Sequence, residues 1–81
     1  MKREYTIEFD HWDDAESFEI ALEPEATLFK VTQGKTLKFV ATCGGPFKWS
    51  VRINKGGAIQ LYPESKEAHD IAVYENERLI Y

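Results

Sequence analysis

The chain has 81 residues, a single cysteine and a net charge of −4. That length holds one hydrophobic core and one domain, 1–81, and buries only about 60–65% of its unfolded surface. An internal disulfide is excluded, so packing alone must hold the fold, which fits a reducing compartment. The segment MKREYTIEFDHW has no continuous apolar run and does not read as a signal peptide. No stretch reaches the length of a membrane span, so the expected setting is cytoplasmic.

The net charge conceals an asymmetry. Residues 1–25 carry nine acids and two bases, residues 26–63 six bases and no acid, and residues 64–81 five acids and two bases. Nucleic-acid modules show a basic overall balance. This chain does not, which argues against that role.

In chain order, Tyr5, Ile7 and Phe9 alternate with Glu4, Thr6 and Glu8, the pattern of a half-buried strand. Asp10 to Glu16 is a polar interruption. Phe18, Ile20 and Leu22 alternate as a second strand, and Glu23-Pro24-Glu25 reads as a turn with proline at the second position.

The stretch from Ala26 to Tyr62 contains four apolar-alternating runs separated by three glycine-bearing turns, and every charge in it is positive. Side chains alternate between faces, so a one-residue slip would turn an apolar face outward. Keeping those faces together predicts Phe29 opposite Phe39, Phe39 opposite Trp49, Ala41 opposite Phe47 and Ile53 opposite Ile59. The intervening loops are then Gln33-Gly34-Lys35, Cys43-Gly44-Gly45 and Lys55-Gly56-Gly57. In the last two, the final glycine suits a left-handed bulge position. The expected product is a four-stranded antiparallel meander.

Residues 63–70 (PESKEAHD) fit either one or two helical turns or an extended connection. The terminal IAVYENERLIY predicts a hairpin around Asn76-Glu77, with Glu75 across from Arg78; asparagine suits such a turn and glutamate does not. Both faces of that hairpin are apolar, Ile71, Val73 and Ile80 on one and Tyr74 and Leu79 on the other. Turn signals recur about every ten residues, as in all-β sandwiches and barrels. The expected fold is therefore all-β: a small antiparallel sandwich or flattened barrel of seven to eight short strands around the central meander.

In the meander register Lys30 lies across from Lys38, with Lys48 and Arg52 on the next strand flanking Ser50. Like charges directly opposite each other destabilise a sheet by about 0.2–1 kcal/mol. Such cations either splay into water, neutralised by acids elsewhere, or face an anionic partner. The second reading makes Lys30, Lys38, Lys48 and Arg52 a basic sheet face.

Other chemistry has weaker support. Asp10, Asp13, Asp14 and Glu16 concentrate carboxylates, but lack the glycine turn and alternating ligands of a calcium loop. Trp12 reads as a folded-back core residue or a contact anchor. His11, His69 and Cys43 lack the close ligand pairs of a zinc site. The only methionine, Met1, offers no axial ligand for copper, and no pattern sets a base beside Cys43 to activate it. Gly34-Lys35-Thr36 resembles the tail of a phosphate loop, but Phe29 stands where the first glycine belongs.

The expected function is a non-enzymatic interaction module, without cofactor, that binds an acidic protein or other anionic partner through the four cations and its exposed strand edges. Opposite charge blocks on one chain also suit a self-associating protein. A metal-dependent or cysteine enzyme is the third reading.

Overall fold

The computed structural model describes residues 1–11 and 17–81. The expectations placed on Trp12, Asp13, Asp14 and Glu16 therefore lie outside the described residues. Eight strands form: β1 (Arg3–Asp10), β2 (Phe18–Leu22), β3 (Thr27–Val31), β4 (Thr36–Cys43), β5 (Lys48–Ile53), β6 (Ile59–Glu64), β7 (His69–Glu75) and β8 (Arg78–Leu79). They make two four-stranded sheets, ordered β1-β4-β7-β8 and β3-β2-β6-β5. The first is antiparallel throughout. In the second, β2 and β6 run parallel.

The all-β sandwich expected from the alternation is present, but its central meander is not. Only the β5–β6 hairpin pairs as expected, with Ile53 opposite Ile59 and Gly57 in the left-handed region at φ +85°. Phe39 pairs instead with Ile7 on β1 and Val73 on β7, while β3 and β5 lie in the other sheet. Two strands with inward apolar faces satisfy alternation equally well side by side or stacked across a core. Their hydrogen-bonding edges decide between the two, and those edges carry no side-chain signature.

The connections show how the chain switches sheets. Lys35 donates to the Thr32 carbonyl (3.0 Å), with Gly34 at φ +81°. The His11 backbone, continuing β1, then takes both sides of that turn, donating to Lys35 O (3.2 Å) and accepting from Gly34 (3.3 Å). The place beside β4 thus goes to β1. After Cys43, four residues including Pro46 carry the chain across to β5. Gly45 is not left-handed there, because no hairpin forms.

The core is built from both inner faces. Ile20, Leu22, Phe29, Val31 and Leu61 come from one sheet, and Leu37, Phe39, Ala41, Cys43 and Val73 from the other. Phe39, fully buried, meets Phe29 edge-on at 5.4 Å and Trp49 at 6.3 Å across the sandwich, and Phe9 at 5.9 Å from the neighbouring strand. The partners expected beside Phe39 within a sheet are therefore found opposite it. Burial of such aromatics supplies most of the stabilisation available to a small core.

Residues 63–70 form no helix. Strand β6 runs on through Pro63 to Glu64. Glu23 N–H donates to Leu61 O (2.9 Å) at the last β2–β6 contact, so Pro63, two residues on, faces the side where β2 has turned away and no N–H is needed. Residues 23–26 form the expected turn between β2 and β3, with the Glu23–Pro24 peptide cis.

The terminal hairpin forms as expected, with Glu75 opposite Arg78. Asn76 and Glu77 both have positive φ, +49° and +72°, the geometry of a tight two-residue hairpin turn. Beyond it, Ile80 N–H donates to Val73 O while Val73 N–H donates to Tyr81 O. Two residues thus oppose one, a bulge that turns Tyr81 inward onto Phe29 at 5.5 Å.

Glutamate in the left-handed region carries a steric cost that glycine does not. The Glu77–Lys38 ion pair (3.9 Å), whose carboxylate is largely exposed, offsets little of it. Glu77→Gly should therefore stabilise the protein by about 0.5–1 kcal/mol, read as a rise in the urea midpoint at unchanged m-value.

Candidate functional site

The four cations expected on one face are distributed over both sheets. Lys38 lies on the outer face of the β1-β4-β7-β8 sheet, opposite Glu8 and Tyr74. Its ammonium sits 5.2 Å from the Tyr74 ring centroid and 3.9 Å from Glu77. Lys30 is on β3, at one edge of the second sheet and opposite Glu19. Lys48 and Arg52 are on β5, at the other edge. The expected single patch is therefore corrected: loss of the meander separates Lys38 from Lys30 by the full thickness of the sandwich, and β2 and β6 separate Lys30 from β5.

Lys48 and Arg52 do stay together. They flank Ser50 along the outer face of β5, where Ser50 donates to Glu64 and Lys48 approaches the same carboxylate at 3.9 Å. Both partners of that ion pair are largely exposed, so solvent screens it. Arg52 stands opposite Gln60 and lies over the Tyr62 ring at 4.9 Å. On the inner side of the same strand Trp49 packs against the core, while Val51 and Ile53 are 44% and 72% exposed. Strand β5 is thus an open edge, cationic on one side and apolar on the other. An open edge presents backbone donors and acceptors to any extended segment.

The other sheet's edge on this side is β1. Trp49 Nε1 donates to the Tyr5 carbonyl at 2.9 Å, so the two edge strands lie one above the other. Strand β1 carries Glu4, Glu8 and Asp10 on its outer face, exposed, and Tyr5, Ile7 and Phe9 on its inner face.

A second feature lies at the end of the sandwich where β6 turns into β7. A shallow open cleft of about 770 Å³ is lined by Phe47, Lys48, Pro63, Glu64, Lys66 and Glu67, among others. Behind it the register sets His69 directly across from Cys43, a neighbour that sequence spacing does not reveal because 26 positions separate them. The thiol is fully buried and lies 3.2 Å from the Ser65 hydroxyl. The His69 ring packs edge-on against Phe47 at 5.4 Å, with Nδ1 3.4 Å from the Glu67 carbonyl. A nucleophile must reach substrate, and this sulfur is enclosed. His11 follows β1 at the opposite end, stacked on Phe18 at 5.9 Å, so the two histidines cannot share a ligand. Among the described residues no group of three His, Cys, Asp or Glu side chains converges as a metal site. Gly34 and Lys35 belong to the turn closed by Lys35 N–H on Thr32 O, and Thr36 opens β4.

No family model, no curated protein and no solved structure matches this chain.

Trp49 joins the edge strands of the two sheets. Trp49→Phe keeps an aromatic ring but deletes the bond to Tyr5 O. It should cost about 1–2 kcal/mol in urea unfolding, combining a lost part-buried hydrogen bond with reduced ring volume. A change below about 0.3 kcal/mol would show that the sheets are joined here by ring packing alone.

Proposed function

We propose that the protein is a non-enzymatic interaction module whose contact edge is β5, taking an extended, acidic segment of a protein partner. The observation that carries this reading is the two-sided character of that edge. Lys48 and Arg52 stand on its outer face, and Val51 and Ile53 are exposed on its inner face. Main-chain pairing supplies affinity in strand addition, and alternate side chains supply selectivity. A segment with acids on one face and apolar residues on the other answers both faces of β5. Lys30 and Lys38, each registered beside a glutamate and remote from β5, fall outside the contact.

The supporting charges are solvent-exposed, so they steer association more than they hold it. Affinity capture from host extract at about 50 mM and about 500 mM salt tests this. Lys48→Glu/Arg52→Glu should lose the partners retained by the wild-type chain, and Lys30→Glu/Lys38→Glu should keep them. Identical capture by the β5 double variant and the wild type would refute the reading.

A further inference from the structure

The segment that β5 calls for is present in the molecule itself. Strand β1 reads REYTIEFD, with Glu4, Glu8 and Asp10 facing outward and Tyr5, Ile7 and Phe9 inward. We propose that the occupant of the β5 edge is strand β1 of a second copy of this chain, in a two-fold dimer that joins β1 to the partner's β5 and β5 to the partner's β1. The proposal rests on the reading of β5 as the contact edge and names what fills it.

The geometry closes. Both strands are terminal in their sheets and lie on the same side of the sandwich, tied by the Trp49–Tyr5 bond. They also run in the same direction. Arg3 begins β1 opposite Cys43, the end of β4, and Lys48 begins β5 opposite Glu64, the end of β6, from which a short turn reaches His69, itself opposite Cys43. A two-fold axis parallel to these strands exchanges the upper and lower sheets. It brings β1 beside the second β5 twice, so one isologous contact is made and no open chain of copies results. The inner faces of the two molecules then become continuous, covering Val51 and Ile53.

The register follows from the same bond. It sets positions 5 and 49 at one height, and rotation about an axis along the strands preserves height. Glu4 therefore falls beside Lys48, Thr6 beside Ser50 and Glu8 beside Arg52, all on the outer face. The alternative two-fold, perpendicular to the sheets, would join β1 to β1 and β5 to β5. That sets glutamates against glutamates and cations against cations, which cross-strand electrostatics disfavours. Along β1 the odd-numbered residues turn their backbone groups toward β4, in step with His11 N–H to Lys35 O, so new backbone pairing on the open side falls at Glu4, Thr6 and Glu8.

Sedimentation velocity on charge-reversed chains tests the arrangement. At about 50 mM salt the wild-type chain should sediment as a dimer, with its dissociation constant rising about tenfold or more by about 500 mM. Lys48→Glu/Arg52→Glu leaves both edges acidic, and Glu4→Lys/Glu8→Lys leaves both basic, so each variant alone should be monomeric. Mixed in equal amounts they should form a dimer again, which also shows that both are folded. A wild-type chain monomeric up to about 1 mM, variants that dimerise as well as wild type, or a mixture that stays monomeric would each overturn the proposal. If the wild type is monomeric while the β5 variant alone loses captured partners, β5 remains the contact edge and only the second copy is wrong. If neither assay responds, both readings fall.

Discussion

Everything in this fold depends on two apolar sheet faces closing on one another around Phe39. Its ring is wholly buried and touches Phe9 on the adjacent strand and Phe29 and Trp49 on the opposite sheet. A chain this short has no disulfide and little interior to spare, so its aromatic residues must contact one another across the core. The sheet-switching connections after Val31 and Cys43 follow from this need. They deliver β3 and β5 to the face opposite β4, where their rings reach Phe39.

Closure is uneven, and the unevenness produces the candidate site. On one side Tyr81, turned inward by the bulge at the end of β8, rests on Phe29. On the other, Trp49 ties β5 to β1 at the level of Tyr5, and farther along β5 the inner side chains Val51 and Ile53 emerge into solvent. The same strand carries the only two of the four anticipated cations that remain neighbours. Contact chemistry and incomplete closure thus coincide on one edge, and the acidic edge of the other sheet lies directly above it.

The charge blocks of the chain acquire a physical meaning from this arrangement. Three acids of the first segment, Glu4, Glu8 and Asp10, line the outer face of β1, and bases of the central segment divide between sheets. Lys38 joins the outer face of the first sheet among Glu8, Glu77 and Tyr74. Lys48 and Arg52 remain on the second. Opposite charges meet within the molecule where strands pair, and stand on separate open edges where they do not. A protein built this way presents complementary rather than uniform borders, which suits selective strand-to-strand contact.

Alternation along the chain was enough to determine which face of each strand turns inward, because the period of a strand is two and a slip inverts it; it did not place Cys43, a loop residue by that pattern but the buried last residue of β4 in the fold. It also placed the Ile53–Ile59 hairpin with its left-handed Gly57, and the Glu75–Arg78 hairpin, since both are closed by local turn chemistry. Choice of neighbour lay beyond it. The pairing of Phe39 with Ile7 and Val73, the scattering of Lys30 and Lys38, and the meeting of His69 with Cys43 all arise from non-local backbone hydrogen bonds. Those bonds are made by groups common to every residue, so only the tertiary structure, by selecting which edges meet, could decide them.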